Sequence, residues 1–275
     1  MREIGNNIEI TVNDLTVSYN DEGESGAPVI IFIHGFPFNK SMWDKQFKAL
    51  KENYRVIAYD VRGHGNSDAG KGDFSIELFA NDLLSFMDAL KIDKAMLCGL
   101  SMGGYIALNA VENYPDRFDA LILSDTTCVA DTPEVKEKRM KAIDSIKKAG
   151  VEKYAEESIK NLFVPESLST KKEEIAAVRE MIVNTSKQSL YKTLKAFYER
   201  KETCSKLHDI NVPVLIVVGK EDKITPPEAA QMMHEKIEDS VLYITEQAAH
   251  LSNIENPFDF NNQLEEFFST VYYNG

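Results

Sequence analysis

Short, almost unbroken apolar runs recur along the chain, separated by longer stretches in which apolar residues return every three or four places. VIIFIH (29–34) is the first such run. YRVIAYD (54–60), AMLCG (95–99), DALILSD (119–125), VPVLIVVG (212–219) and VLYIT (241–245) follow. A run that is apolar throughout and rich in β-branched residues suits a strand buried on both faces, the environment of a parallel sheet. The intervening periodicity predicts helices over 75–91, 102–113, 226–237 and 257–270, and SMWDKQFKALKEN (41–53) has the same amphipathic character. Strand and helix in alternation predict an α/β fold: a doubly wound, mostly parallel sheet with helices on both faces. The first twenty residues differ, because IEITV and LTVSY alternate apolar with polar, and Asn13-Asp14 between them predicts a hairpin at a sheet edge.

The alternation stops between Thr127 and Leu207. No strand-like run occurs there, and Lys/Glu-rich helical pattern predominates. This predicts a helical lid, or cap, at 127–207, inserted into a core formed by 1–126 and 208–275. Its apolar residues at helical spacing, Met140, Ile143 and Ile146 or Leu190, Leu194 and Phe197, are expected to pack the lid onto itself or onto the core.

Composition narrows the partners. The 275 residues carry 31 Lys and Arg against 44 Asp and Glu, a formal charge of −13. Such a chain repels nucleic-acid phosphates and anionic membrane surfaces unless a basic patch intervenes. The best candidate patch, PEVKEKRMKAIDSIKKAG (133–150), interleaves acids with its bases and suits a solvated helix face. The opening MREIGNNIEITVNDL has no secretory pattern, and no apolar run is long enough to span a bilayer. Cys98, Cys128 and Cys204 are odd in number and lack ligand spacing, which fits a reducing, cytoplasmic setting and offers no metal site.

One stretch calls for chemistry. In CGLSMGGY (98–105), Gly99 closes a predicted strand, Ser101 sits at the break, and Gly103 and Gly104 open a helix, where each glycine costs about 1 kcal/mol relative to alanine. A strand turning sharply into a helix brings the two backbones so close that side chains two positions either side of the bend would collide. The glycines therefore hold out a hydroxyl. Serine needs a base to take its proton and an acid to orient that base. Of five histidines, His34 and His64 suit tight turns, His208 ends the insertion and His234 falls on an exposed helix face. His250 instead occupies the loop after the last strand, where strand-end loops converge. Asp222, after the penultimate strand, completes the order Ser101, Asp222, His250; spacing alone leaves Glu221 and Asp125 as rivals. Two backbone N–H groups must meet the developing oxyanion. Met102 supplies one at the helix start, and HGFP (34–37) supplies another at Phe36, between the turning Gly35 and the donorless Pro37.

HGFPFNKSMW, YDVRGHGNSD, GLSMGGYIAL, GKEDKITPP and AAHLSNIENP together resemble the α/β-hydrolase superfamily over nearly the whole chain outside the insertion. HGFP, GLSMGG and RGHGNS are most similar to its 3-oxoadipate enol-lactonase, carboxylesterase and cofactor-free haloperoxidase (perhydrolase) group. The resemblance implies the α/β-hydrolase fold, with Ser101 as nucleophile, Asp222 as acid, His250 as base, and Phe36 and Met102 as oxyanion donors. Serine at the elbow, where haloalkane dehalogenases hold aspartate, sets the chain apart from those enzymes.

The function expected is hydrolysis of a small carboxylic ester or lactone through an acyl-enzyme, with no cofactor or metal. Phe36, Phe38, Trp43 and the apolar lid faces are expected to wall the pocket. A carboxylate-bearing enol-lactone would need one lid Arg or Lys nearby. Two alternatives stand beside this: a perhydrolase or haloperoxidase using the same triad with peroxide, and a receptor that keeps the site for binding alone.

Overall fold

A computed structural model describes residues 2–273. Eight strands form one sheet: β1 (Gly5–Val12), β2 (Leu15–Glu22), β3 (Val29–Ile33), β4 (Arg55–Tyr59), β5 (Ala95–Leu100), β6 (Phe118–Ser124), β7 (Val214–Gly219) and β8 (Ser240–Thr245). Their order is β1-β2-β4-β3-β5-β6-β7-β8. β1 pairs antiparallel with β2 and β2 with β4, and the rest are parallel. Asn13, with φ 55°, makes the turn of the edge hairpin. β4, β5 and β7 are buried at every position, as their unbroken apolar sequences require.

Helices flank both sides of the sheet. α1 (Asp44–Leu50), α2 (Ile76–Ala89) and α3 (Met102–Asn113) lie between successive strands of the first half. Between β6 and β7 the chain makes α4 (Pro133–Ala149), α5 (Val151–Leu162), α6 (Ser167–Thr170), α7 (Lys172–Asn184) and α8 (Lys187–Glu199). α9 (Pro227–His234), α10 (Ser252–Glu255) and α11 (Pro257–Tyr273) complete it. α9 stops earlier than its amphipathic pattern predicts, and the pattern gave no sign of α10, a single turn.

In the helical insertion α4 packs on α5 and α8, and α5 on α7. Ile143, Ile146, Leu190, Leu194 and Phe197 are buried, whereas Met140 is 46% exposed, so that it is not part of the packed face expected of it. The insertion is fastened to the loop after β3 and to α1. Thr185 Oγ1 donates to the Pro37 carbonyl at 3.2 Å, and Lys45 pairs with Glu174 at 2.9 Å.

Its two ends meet at a disulfide between Cys128 and Cys204, with Cα atoms 4.9 Å apart. This corrects the inference drawn from an odd cysteine count. The partners lie 76 residues apart, and they meet because the chain returns from α8 to the segment that follows β6 before it enters β7. A disulfide belongs with oxidising surroundings, so cysteine usage no longer supports a reducing compartment. Cys98 is a buried free thiol. Among the described residues, no helix is long and apolar enough to cross a membrane.

Candidate active site

Ser101 stands at the corner between β5 and α3 with φ 54° and ψ −109°, outside the regions comfortable for a side chain. Side-chain-free neighbours make this corner possible. A Cβ on Gly99 would strike the Gly103 carbonyl, and one on Gly103 would strike the Ile33 carbonyl of β3. The backbone is held on its other side by β6, since Ser101 N–H donates to the Ser124 carbonyl at 2.9 Å and Thr126 Oγ1 to the Ser101 carbonyl at 2.8 Å.

The histidine and acid predicted from strand-end loops converge on this hydroxyl. His250 Nε2 lies 3.0 Å from Ser101 Oγ, and His250 Nδ1 lies 2.8 Å from Asp222 Oδ2. Both residues are buried, at 3% exposure each. Asp222 also accepts from the Ile224 N–H at 2.7 Å, the Thr225 N–H at 3.1 Å and Thr225 Oγ1 at 2.8 Å. Burial pushes its carboxyl up, but His250 and these donors outweigh it and hold the group below the usual carboxylate range. For His250, burial pulls the imidazole down, and the charge and hydrogen bond of Asp222, with the charge of Asp125, more than offset it. Its affinity for a proton is therefore raised, and Asp222 fixes Nδ1 as the N–H nitrogen, leaving the Nε2 lone pair towards serine.

Of the rival acids, Glu221 is exposed. Asp125 is fully buried at the end of β6, where it meets Ser124, Ser252 and Gly219, and it makes no hydrogen bond to His250. The amides of Phe36 and Met102 form no hydrogen bond among the described residues, consistent with two donors left open beside the serine. Beneath the Phe36 loop, His34 Nδ1–H donates to the Gly35 carbonyl at 2.8 Å while Nε2 accepts the Val61 N–H at 2.9 Å, tying it to the end of β4. Burial lowers the affinity of His34 for a proton, and that of His64 more strongly, to about 3, so both serve as neutral struts. His234 is half-buried against Ser240, and His208 is exposed beside Asp209.

A cavity of about 490 Å³ opens over Ser101 and His250. Phe36 and Pro37 line it from the core, and α4, α5 and α8 contribute Arg139, Tyr154, Leu194 and Phe197 among others. Phe38 and Trp43, expected as walls, are not there. Phe38 is 1% exposed, and Trp43 is fully buried with its ring 4.8 Å from Phe32 and 6.3 Å from Phe260, inside the layer between sheet and α11. The chain turns into a short 3-10 segment and α1 after HGFP, which carries these rings beneath the loop instead of over it.

The cavity also holds what the sequence left unassigned: three cations, Lys138, Arg139 and Lys223, with no acid among the lining residues. Arg139 is held by Asp131 at 3.0 Å and lies over the Phe197 ring at 5.1 Å, and its charge reaches His250. Among the described residues neither lysine is paired with an acid. Helical periodicity alone could not tell which of the many lysines and arginines of α4 would face inward. No cluster of His, Cys, Asp or Glu capable of holding a metal occurs among the described residues.

The mostly parallel eight-stranded sheet, with a serine at its β5–α3 corner and a histidine after its last strand, defines an α/β-hydrolase. A family model described as serine aminopeptidase, S33, matches residues 25–256, and the chain belongs to that family. A curated relative, 3-oxoadipate enol-lactonase 2 of Acinetobacter baylyi, is 28% identical over 256 residues, covering 93% of this chain and 94% of the relative. Among solved structures, a thermophilic esterase from Thermogutta terrifontis with malate bound superposes with a TM-score of 0.90 and 32% identity, covering 96% of this chain and 98% of the esterase. The enol-lactonase of Burkholderia xenovorans gives 0.89 and 29%, covering 95% and 100%.

Proposed function

We propose that the protein is a serine hydrolase that cleaves a small carboxylate-bearing ester or lactone through an acyl-enzyme. The observation that carries this is the continuous hydrogen-bonded line from Ser101 Oγ through His250 to Asp222, opening into a cavity ringed by Lys138, Arg139 and Lys223. His250 Nε2 takes the Ser101 proton as Oγ attacks the carbonyl carbon. Asp222 stabilises the imidazolium. The Phe36 and Met102 amides meet the oxyanion, a contribution of about 3 kcal/mol each. The imidazolium then protonates the leaving alkoxide, an acyl-Ser101 ester remains, and a water deprotonated by His250 releases the acid. In a lactone the leaving alcohol stays tethered and must be held away while water enters. The helical insertion acts as the lid over this chemistry, forming the outer wall of the cavity.

The cations select the substrate. Three positive side chains in a cavity of a −13 protein favour an anionic ligand, and an arginine with free N–H groups suits a carboxylate. The lactonase and malate-bound esterase relatives act on or hold ligands consistent with that choice. Active-site labelling by a fluorophosphonate, followed by kinetics on paired carboxylated and neutral p-nitrophenyl esters and lactones, tests the assignment. Labelling that is lost in Ser101→Ala, with preference for the carboxylated member, is expected. Equal labelling of wild type and Ser101→Ala would overturn it, as would absence of labelling in both. Peracid formation with added peroxide, measured alongside, reports whether peroxide replaces water at the second step.

A further inference from the structure

Behind the Ser101–His250–Asp222 line stands a second buried carboxylate that it does not use. Asp125, fully buried at the end of β6 with φ 44°, is surrounded by segments that carry the other three groups. Its Oδ1 accepts the Gly219 N–H at 2.8 Å, at the end of the strand leading to Asp222. Its Oδ2 accepts from Ser252 Oγ at 2.5 Å, two residues beyond His250, and from Ser124 Oγ at 2.9 Å. The residues either side of it, Ser124 and Thr126, hold the Ser101 backbone. One tripeptide thus fastens the nucleophile corner, the acid strand and the histidine loop.

A mere tie would not need a carboxylate. Three donors converge on it, so that both carboxyl oxygens act as acceptors. Every charged or titratable group that it senses belongs to the site or its floor: Asp222 beyond β7, His250 beyond β8, and the buried thiol of Cys98 on β5. Arg139 of α4 acts on the same imidazole from the cavity side, opposing it. Burial and the Asp222 charge push Asp125 up to about 7, in the range where imidazole titrates.

We propose that Asp125 is a positioning residue that locks the three strand ends together and holds a second negative charge behind His250, stabilising the imidazolium formed when Ser101 attacks. This rests on the assignment of Ser101 and His250 as nucleophile and base. No bond is made or broken at Asp125; its charge favours the proton's stay on His250 until the leaving alkoxide takes it. Asp125 raises the affinity of His250 for a proton through its charge, behind the larger effect of Asp222.

Asp125→Asn keeps the size and the acceptor for Gly219 while removing the charge. Two measurements on wild type and variant test the proposal: NMR titration of the His250 ring, and the pH dependence of fluorophosphonate labelling at Ser101. In Asp125→Asn the His250 titration is expected to move to lower pH, the labelling plateau to fall severalfold, and the rate at pH 6, relative to that plateau, to rise roughly threefold. Ser252→Ala, which keeps the carboxylate but removes its shortest donor, is expected to shift the His250 titration in the same direction and by less. It carries the test if Asp125→Asn does not fold. An unmoved His250 titration overturns the proposal, and so does a loss of labelling by one factor at every pH, the mark of a purely structural tie. Wild type that fails to label would overturn the hydrolase assignment instead, and the NMR titration would still report whether Asp125 and His250 are coupled.

Discussion

Asp222 and Asp125 sit a strand apart with opposite titration behaviour, and the difference lies in what surrounds them. Asp222 meets a cationic partner and donors that favour its charge, so its stability contribution is present above the unfolded carboxylate pKa and is lost as pH falls through its depressed folded value. Asp125 is raised to about 7, so the native state holds that proton more tightly than the unfolded chain. Its contribution is complete below the unfolded pKa and disappears as pH rises through about 7. Calorimetry should therefore find Asp125→Asn close to wild type near pH 4 and progressively more stable than wild type towards pH 8. Asp222→Asn, by contrast, is expected to lower kcat roughly 10⁴-fold by leaving the wrong imidazole tautomer, measured on any ester that wild type cleaves. Arg139→Ala should raise KM for a carboxylated ester about tenfold or more while changing that for its neutral analogue far less. At this scale the sequence disclosed groups placed by strand ends, Ser101, Asp222 and His250. It did not disclose Arg139 or Thr225, whose placement beside these groups depends on which way a helix or turn faces. Phe38 and Trp43 were misread because an aromatic just past a strand can turn under the loop as readily as over it.

Elements were more legible than contacts between them. Strands buried on both faces carry their own signature, and the β5–α3 corner announces itself through glycines whose extra atoms would strike neighbouring backbone. Gly103→Ala should cost at least about 2–3 kcal/mol, because the obstacle is the Ile33 carbonyl rather than a movable side chain; chemical denaturation measures it. α10 was not legible, since one helical turn has no period. Yet it carries Glu255, whose Oε2 accepts the Ala249 N–H at 2.7 Å, next to His250, and whose Oε1 accepts the Val164 N–H of the insertion at 3.0 Å. Both oxygens are engaged by donors, so Glu255→Gln must leave one N–H facing an NH₂ group. A loss of about 1–3 kcal/mol in thermal unfolding is expected.

The whole molecule separates its charge. A net −13 is spread over an exterior that resists association with polyanions, while the cavity above Ser101 is lined by cations alone among its charged residues other than the histidine. An anionic substrate of the kind proposed would be slowed by the bulk field and retained by the local field, a balance that total composition could not reveal. The insertion that creates this contrast is joined to the sheet at its root by Cys128–Cys204, and neither its helical content nor an odd cysteine count foretold that closure. Because the cross-link joins residues 76 positions apart, a protease cut between 129 and 203 would leave the two pieces migrating as one band. Only a thiol reductant in the sample would separate them on a gel.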